Sequence, residues 1–96
     1  EDHVSMGWAA GRKLRRALDG VARVLAVELL TAARALDLRA PLAPAAGTGT
    51  VRDLIREHVA GPGPDRHLAP EIDAVLGLVT TGRIVAAAEA ATGPLR

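Results

Sequence analysis

Val24-Leu25-Ala26-Val27-Glu28-Leu29-Leu30-Thr31-Ala32-Ala33 lies inside a proline-free segment that runs from Val4 to Leu38. Across that segment, Leu14, Leu18, Val21, Leu25, Leu29, Ala32 and Leu36 recur in steps of three and four. This spacing keeps them on one face of an α-helix. An unbroken helix from Val4 to Leu38 is about 50 Å long at 1.5 Å per residue. A compact domain of this chain length has a radius of gyration of only about 13 Å. Such a helix either kinks or is covered by something outside the chain, and the second is the expectation. From Val24 to Ala33 the segment is apolar on nearly every side, which suits the middle of a helical bundle.

The 96 residues suit one small domain. Hydrophobic residues make up 49% of them, enough for a core. Aromatic residues make up 1%, the single Trp8. A core of Ala, Val and Leu requires closely approaching helices, since no large rings fill gaps, and sheets favour aromatic and β-branched residues. The fold class is therefore all-α: one long helix followed by three shorter ones, part of a larger helical-bundle oligomer. Residues 1–39 are read as the long core helix with its leading motif, and 40–96 as a short-helix segment packing on it. The net charge of +1 gives no strong field toward nucleic acid or an anionic membrane. Cysteine is absent, which removes disulfides and leaves the cytoplasm as the default location. Glu28 and Arg34 interrupt the best apolar run, so no membrane span is expected. The chain opens on Glu1 rather than Met, and the expectation is a piece of something longer.

Acidic Glu1 and Asp2 and the small polar Ser5 suit a helix start. Gly7 and Gly11 leave a smooth face on the helix at a cost of about 1 kcal/mol each, which points to packing as their purpose. Arg12, Lys13, Arg15 and Arg16 read as a solvated face flanking the Leu14/Leu18 stripe; no aromatic interleaving supports nucleic-acid contact. Glu28, in apolar company, should find a donor across an interface or be partly solvated.

Ala40-Pro41 stops the helix. Leu42 to Gly49 reads as a connector, with Thr48 or Thr50 capping a short helix from about Val51 to Val59 whose face carries Val51, Leu54 and Ile55, with room for His58 beside them. His58 reads as a residue at the C-terminal end of that helix. After the Ala60-Gly61-Pro62-Gly63-Pro64 break, Ala69-Pro70-Glu71 opens a third helix with Ile72, Val75, Leu76 and Val79 as its stripe. Thr80-Thr81-Gly82 interrupts it, and Arg83 to Ala91 forms a last helix closed by Gly93-Pro94. No Cys/His or His/carboxylate set has metal-ligand spacing, so no metal is expected. His3 and Ser5, two residues apart, point to different sides of a helix and do not make a nucleophile pair.

Glu1-Asp2-His3-Val4-Ser5-Met6-Gly7 resembles the Glu-Asp-His-Val-Ser-Met stretch of histidine ammonia-lyases, which convert L-histidine to urocanate and ammonia. The likeness continues in Leu25 to Ala33, in Asp37-Leu38-Arg39-Ala40-Pro41 and in Asp65-Arg66-His67-Leu68-Ala69-Pro70-Glu71-Ile72, in the order and spacing of that family's C-terminal part, and it extends to about Val85. The resemblance implies an all-α homotetramer with L-histidine as substrate and active sites between subunits. It also implies a methylidene-imidazolone electrophile made from an internal Ala-Ser-Gly. Glu1 matches the carboxylate placed at the imidazole end of the substrate, so the resemblance makes it the catalytic and substrate-binding residue, with Asp2 and His3 as supporting neighbours. Ser5, the one serine, stands between Val4 and Met6, so the chain has no Ala-Ser-Gly and is expected to be inactive alone. Two further classes stand beside this one: a free-standing helical oligomerisation module using Gly7, Gly11 and Val24 to Ala33, and a nucleic-acid binder using Arg12 to Arg16.

Overall fold

The computed structural model describes residues 3–96, which form four helices and no strand. The first, α1, is Gly7–Leu38 and runs unbroken, as the absence of proline allows. It begins three residues later than the periodicity suggests. Its ladder opens with Ala10 N–H donating to Met6 O at 2.9 Å, and Ser5 Oγ accepts from Gly7 N–H at 3.2 Å. Leu38 is its last residue; a turn follows in which Arg39 N–H donates to Leu36 O and Leu42 N–H to Arg39 O, across a cis Ala40–Pro41 peptide. The long helix gives the chain extents of 69 × 36 × 18 Å and a radius of gyration of 17.5 Å, well above that of a compact domain of this length.

The second helix, α2, is Ala46–Arg56. It starts five residues before the expected Val51, so the second half of the supposed connector is helical. Neither threonine caps it: the cap position is Ala45, and the Thr50 hydroxyl donates instead to Ala46 O at 2.9 Å, inside the helix. Gly47 belongs here because α4 passes too close for any side chain. A Cβ on Gly47 would lie 2.8 Å from Thr92 Cγ2. The helix also ends three residues early, at Arg56, and a turn carries the chain to Val59, whose N–H reaches Ile55 O at 2.9 Å.

The third helix, α3, is Ala69–Thr80, with Pro70 in its first turn where a missing N–H costs nothing. Gly82, at φ +76°, makes the break that separates it from α4, Arg83–Thr92. Only glycine enters that left-handed region without strain, and the two helix axes diverge by 63° there. Gly93, at φ +82°, ends α4.

The two long-range contacts that make the fold are α3 against α1 and α4 against α2. Their core is small: Ala26, Ala33, Ile55, Val59, Val75 and Leu78 are buried, with Leu29, Leu30, Val51, Leu54, Ile72 and Ile84 packed around them. Leu78 joins this core although the expected stripe of α3 omitted it. The side of α1 that packs internally is set by Ala26 and Ala33, whose small side chains let α3 approach. The leucine stripe lies beside it and is largely uncovered, with Leu14 at 61%, Leu18 at 60% and Leu25 at 42% exposure.

The close α2–α4 approach gives a direct test. Thr92 cannot swing aside cheaply, because it is β-branched and its hydroxyl is bonded to Ala88 O at 3.0 Å. Gly47→Val is expected to destabilise the chain by about 1–3 kcal/mol, read as a lower thermal midpoint. Gly77→Ala, where a Cβ meets nothing within 4 Å, is expected to raise it slightly.

Candidate functional site

The motif that carries the resemblance sits at the N-terminal entrance to α1, where the first N–H groups of a helix lack partners and the dipole is positive. Glu1 and Asp2 lie outside the described residues. His3, Val4, Ser5 and Met6 form an exposed lead-in with no helical pairing of its own. The Ser5 hydroxyl is taken by Gly7 N–H, and no hydrogen bond joins it to His3. Ser5 is flanked by Val4 and Met6 and is used as a helix-entry acceptor. The residues of this chain therefore do not fit the formation of a methylidene-imidazolone group.

Beyond the entrance, Arg12, Lys13, Arg15 and Arg16 are all exposed, and the Arg12 guanidinium lies 5.9 Å from the centre of the Trp8 ring. Glu28 is exposed as well, with no ion-pair partner among the described residues. His58, expected within the last turn of α2, instead lies beyond its end in the turn that follows Arg56. Its Nδ1 faces Leu54 O at 3.1 Å, which requires the proton on that nitrogen, and leaves Nε2 to accept from Arg83 Nη1 at 3.4 Å. Among the described residues no group of three His, Asp or Glu is placed to hold a metal ion.

Two arginine clamps escape a sequence reading. Arg56 Nε donates to Asp37 Oδ2 at 2.7 Å, and its Nη1 reaches Ala60 O at 3.0 Å. Arg66 pairs with Glu71 through Nε to Oε1 and Nη2 to Oε2, and its Nη2 also donates to Ala60 O and Gly61 O at 3.1 Å each. Together they tie the glycine- and proline-rich connector to α1 and α3. Arg66 and Glu71 lie in the stretch that resembles the lyases, but nothing in their spacing announces a pair, and Asp37 is separated from Arg56 by a turn and a helix. The hydrogen bond from Arg66, more than its charge alone, holds the Glu71 carboxyl below the usual carboxylate range.

A carboxyl held low in the fold stabilises the fold at pH values above its unfolded-state pKa. That contribution disappears as pH falls through the folded-state value. Glu71→Gln is therefore expected to lower the thermal midpoint at neutral pH, and the curves of the two proteins are expected to converge below about pH 4. Thermal unfolding across pH checks this.

An apolar groove opens on the described surface between α1, α2 and α4. It holds about 370 Å³ and is walled by Val51 of α2 and Ala88 of α4, with Leu29, Ala32 and Leu36 of α1 as its floor and Leu95 at its edge. No single helix among the described residues is long and apolar enough to cross a membrane.

Comparison with known proteins gives a consistent result. The family model described as "Aromatic amino acid lyase" matches residues 1–57. The histidine ammonia-lyase of Streptomyces coelicolor is 58% identical over an alignment covering 100% of this chain and 19% of the relative. That of Streptomyces griseus is 55% identical, with 99% of this chain and 19% of the relative covered. That of Symbiobacterium thermophilum is 52% identical over the same shares. The chain thus spans about a fifth of the length of the relatives it matches. No solved structure matches it.

Proposed function

The chain belongs to the aromatic amino acid lyase family, and on that premise we propose that it is the C-terminal segment of a histidine ammonia-lyase, a carbon–nitrogen lyase converting L-histidine to urocanate and ammonia. The observation that carries this reading is the alignment of the entire chain with one fifth of enzymes of that name, at up to 58% identity. In this reading Glu1 is the catalytic and substrate-binding carboxylate at the imidazole end of L-histidine, able to accept a proton from the ring or a hydrogen bond. Asp2 and His3 support it. The parent is a cytoplasmic homotetramer whose methylidene-imidazolone group comes from outside these 96 residues. That group, when present, supplies the electrophile that activates the substrate for loss of ammonia. Residues 1–39 serve as the core helix with the active-site motif, and residues 40–96 as the segment that packs on it.

A segment exchange tests the reading. The corresponding fifth of the Streptomyces coelicolor relative is replaced by this chain, and urocanate formation from L-histidine is followed. The expected result is an active chimera that prefers L-histidine over L-phenylalanine and L-tyrosine, while the 96-residue chain alone forms no urocanate. A chimera that is folded and oligomeric but inactive on L-histidine overturns the proposal, and so does urocanate made by the 96 residues alone.

A further inference from the structure

The lead-in to α1 is tied back to the helix by one hydrogen bond. Among the described residues, no backbone hydrogen bond and no ion pair holds residues 3–5. Their tie to α1 is the Ser5 hydroxyl, which accepts from Gly7 N–H at 3.2 Å. Met6, the cap residue, has no side-chain oxygen to offer the unpaired N–H groups of the first turn. Its backbone, at φ −82° and ψ 0°, bends the chain so that the acceptor comes from the residue before it. Gly7 completes the arrangement. A Cβ there would lie 3.2 Å from Ser5 Oγ, closer than ordinary contact, so the hydroxyl would have to give way. Alanine is the better helix former; glycine at this position keeps room for the Ser5 bond instead.

Glu1 stands four residues before Ser5. Resting on the reading of Glu1 as the carboxylate that faces the substrate ring, we infer that Ser5 is a positioning residue for it. The Ser5–Gly7 bond sets the direction in which the chain leaves α1, and thereby where Glu1 reaches. A four-residue lead-in spans at most about 13 Å, so a swing of about 10° at the helix entrance displaces its far end by up to about 2 Å. An error of about 1 Å in the placement of a reacting group can cost about 100-fold in rate. Ser5 itself touches no substrate atom in this role and exchanges no proton with one. Its oxygen serves as an acceptor for the helix, and its effect on the reaction passes through Glu1.

In the active chimera, Ser5→Ala is expected to lower kcat about tenfold with KM and the thermal midpoint little changed. Ser5→Thr, which keeps the acceptor oxygen, is expected to restore turnover. Gly7→Ala is expected to lower kcat too while the thermal midpoint holds or rises, the opposite of what a purely structural glycine gives. Both substitutions act on one bond, so the double variant is expected to lose no more than Ser5→Ala alone. In a Glu1→Gln chimera, Ser5→Ala is expected to lower kcat no further, because the group it positions is already gone. In the 96-residue chain, NMR-detected exchange of the Gly7 amide hydrogen is expected to quicken about fivefold on Ser5→Ala. An unchanged exchange rate, wild-type kcat in Ser5→Ala, a loss that multiplies with that of Glu1→Gln, or an unfolded Ser5→Ala chimera overturns the positioning role and leaves the lyase reading standing. Wild-type turnover of Glu1→Gln, or a folded chimera that forms no urocanate, overturns the underlying reading and the positioning role with it.

Discussion

Val75→Asp is expected to abolish cooperative unfolding of the chain. Val75 is fully buried, and it sits where α3 meets α1. The core around it is six small or medium apolar side chains, and it contains no buried polar group that would receive a carboxylate. An aspartate there must either ionise without a partner or carry its proton into the core, and either costs several kcal/mol. Small domains are stable by only about 5–15 kcal/mol in total, and this one buries few side chains for its length. Loss of the α1–α3 contact removes one of the two helix–helix contacts that make the fold. Far-UV circular dichroism during heating is expected to show a sloping, transition-free curve for Val75→Asp. Val85→Asp, at a position 52% exposed on α4, is expected to unfold like the parent.

Glu1→Gln in the active chimera is expected to lower kcat by about 100-fold or more, the usual range for a lost acid–base group. The proposal gives Glu1 a role toward the substrate ring and no role in the core. Thermal stability of the chimera should therefore change by less than about 0.5 kcal/mol. A fall in kcat/KM carried by kcat marks an interaction made in the transition state, whereas a rise in KM alone marks simple binding. His3→Gln, a supporting neighbour in the same reading, is expected to have the smaller effect. Glu1→Gln with wild-type turnover removes Glu1 from the site.

The opening motif was legible because its residue types are specific and contiguous, and the family match over residues 1–57 agrees with it. The α-helical class and the unbroken α1 were legible for a local reason: period, the absence of proline and the scarcity of aromatics act within a few turns. Gly82 and Gly93 announced the breaks for the same reason, since a positive φ is a property of one residue. The start of α2 was not legible. Gly47 and Gly49 read as loop residues until α4 is in place, because what calls for a glycine at 47 is the close approach of Thr92. The Arg56–Asp37 and Arg66–Glu71 clamps are invisible in the same way, because each depends on where the connector carries the chain back.

Sequence alone determined that the chain is helical, that α1 is too long for its own chain to cover, and that its entrance carries a lyase-like motif. Only the tertiary structure decided which side of α1 is inside. The sequence offers two adjacent faces, one of leucines and one of alanines, and hydrophobicity by itself favours the leucines. The chain buries Ala26 and Ala33 instead, because close approach of α3 requires small side chains between the two backbones. That choice leaves Leu14, Leu18, Val21 and Leu25 facing outward.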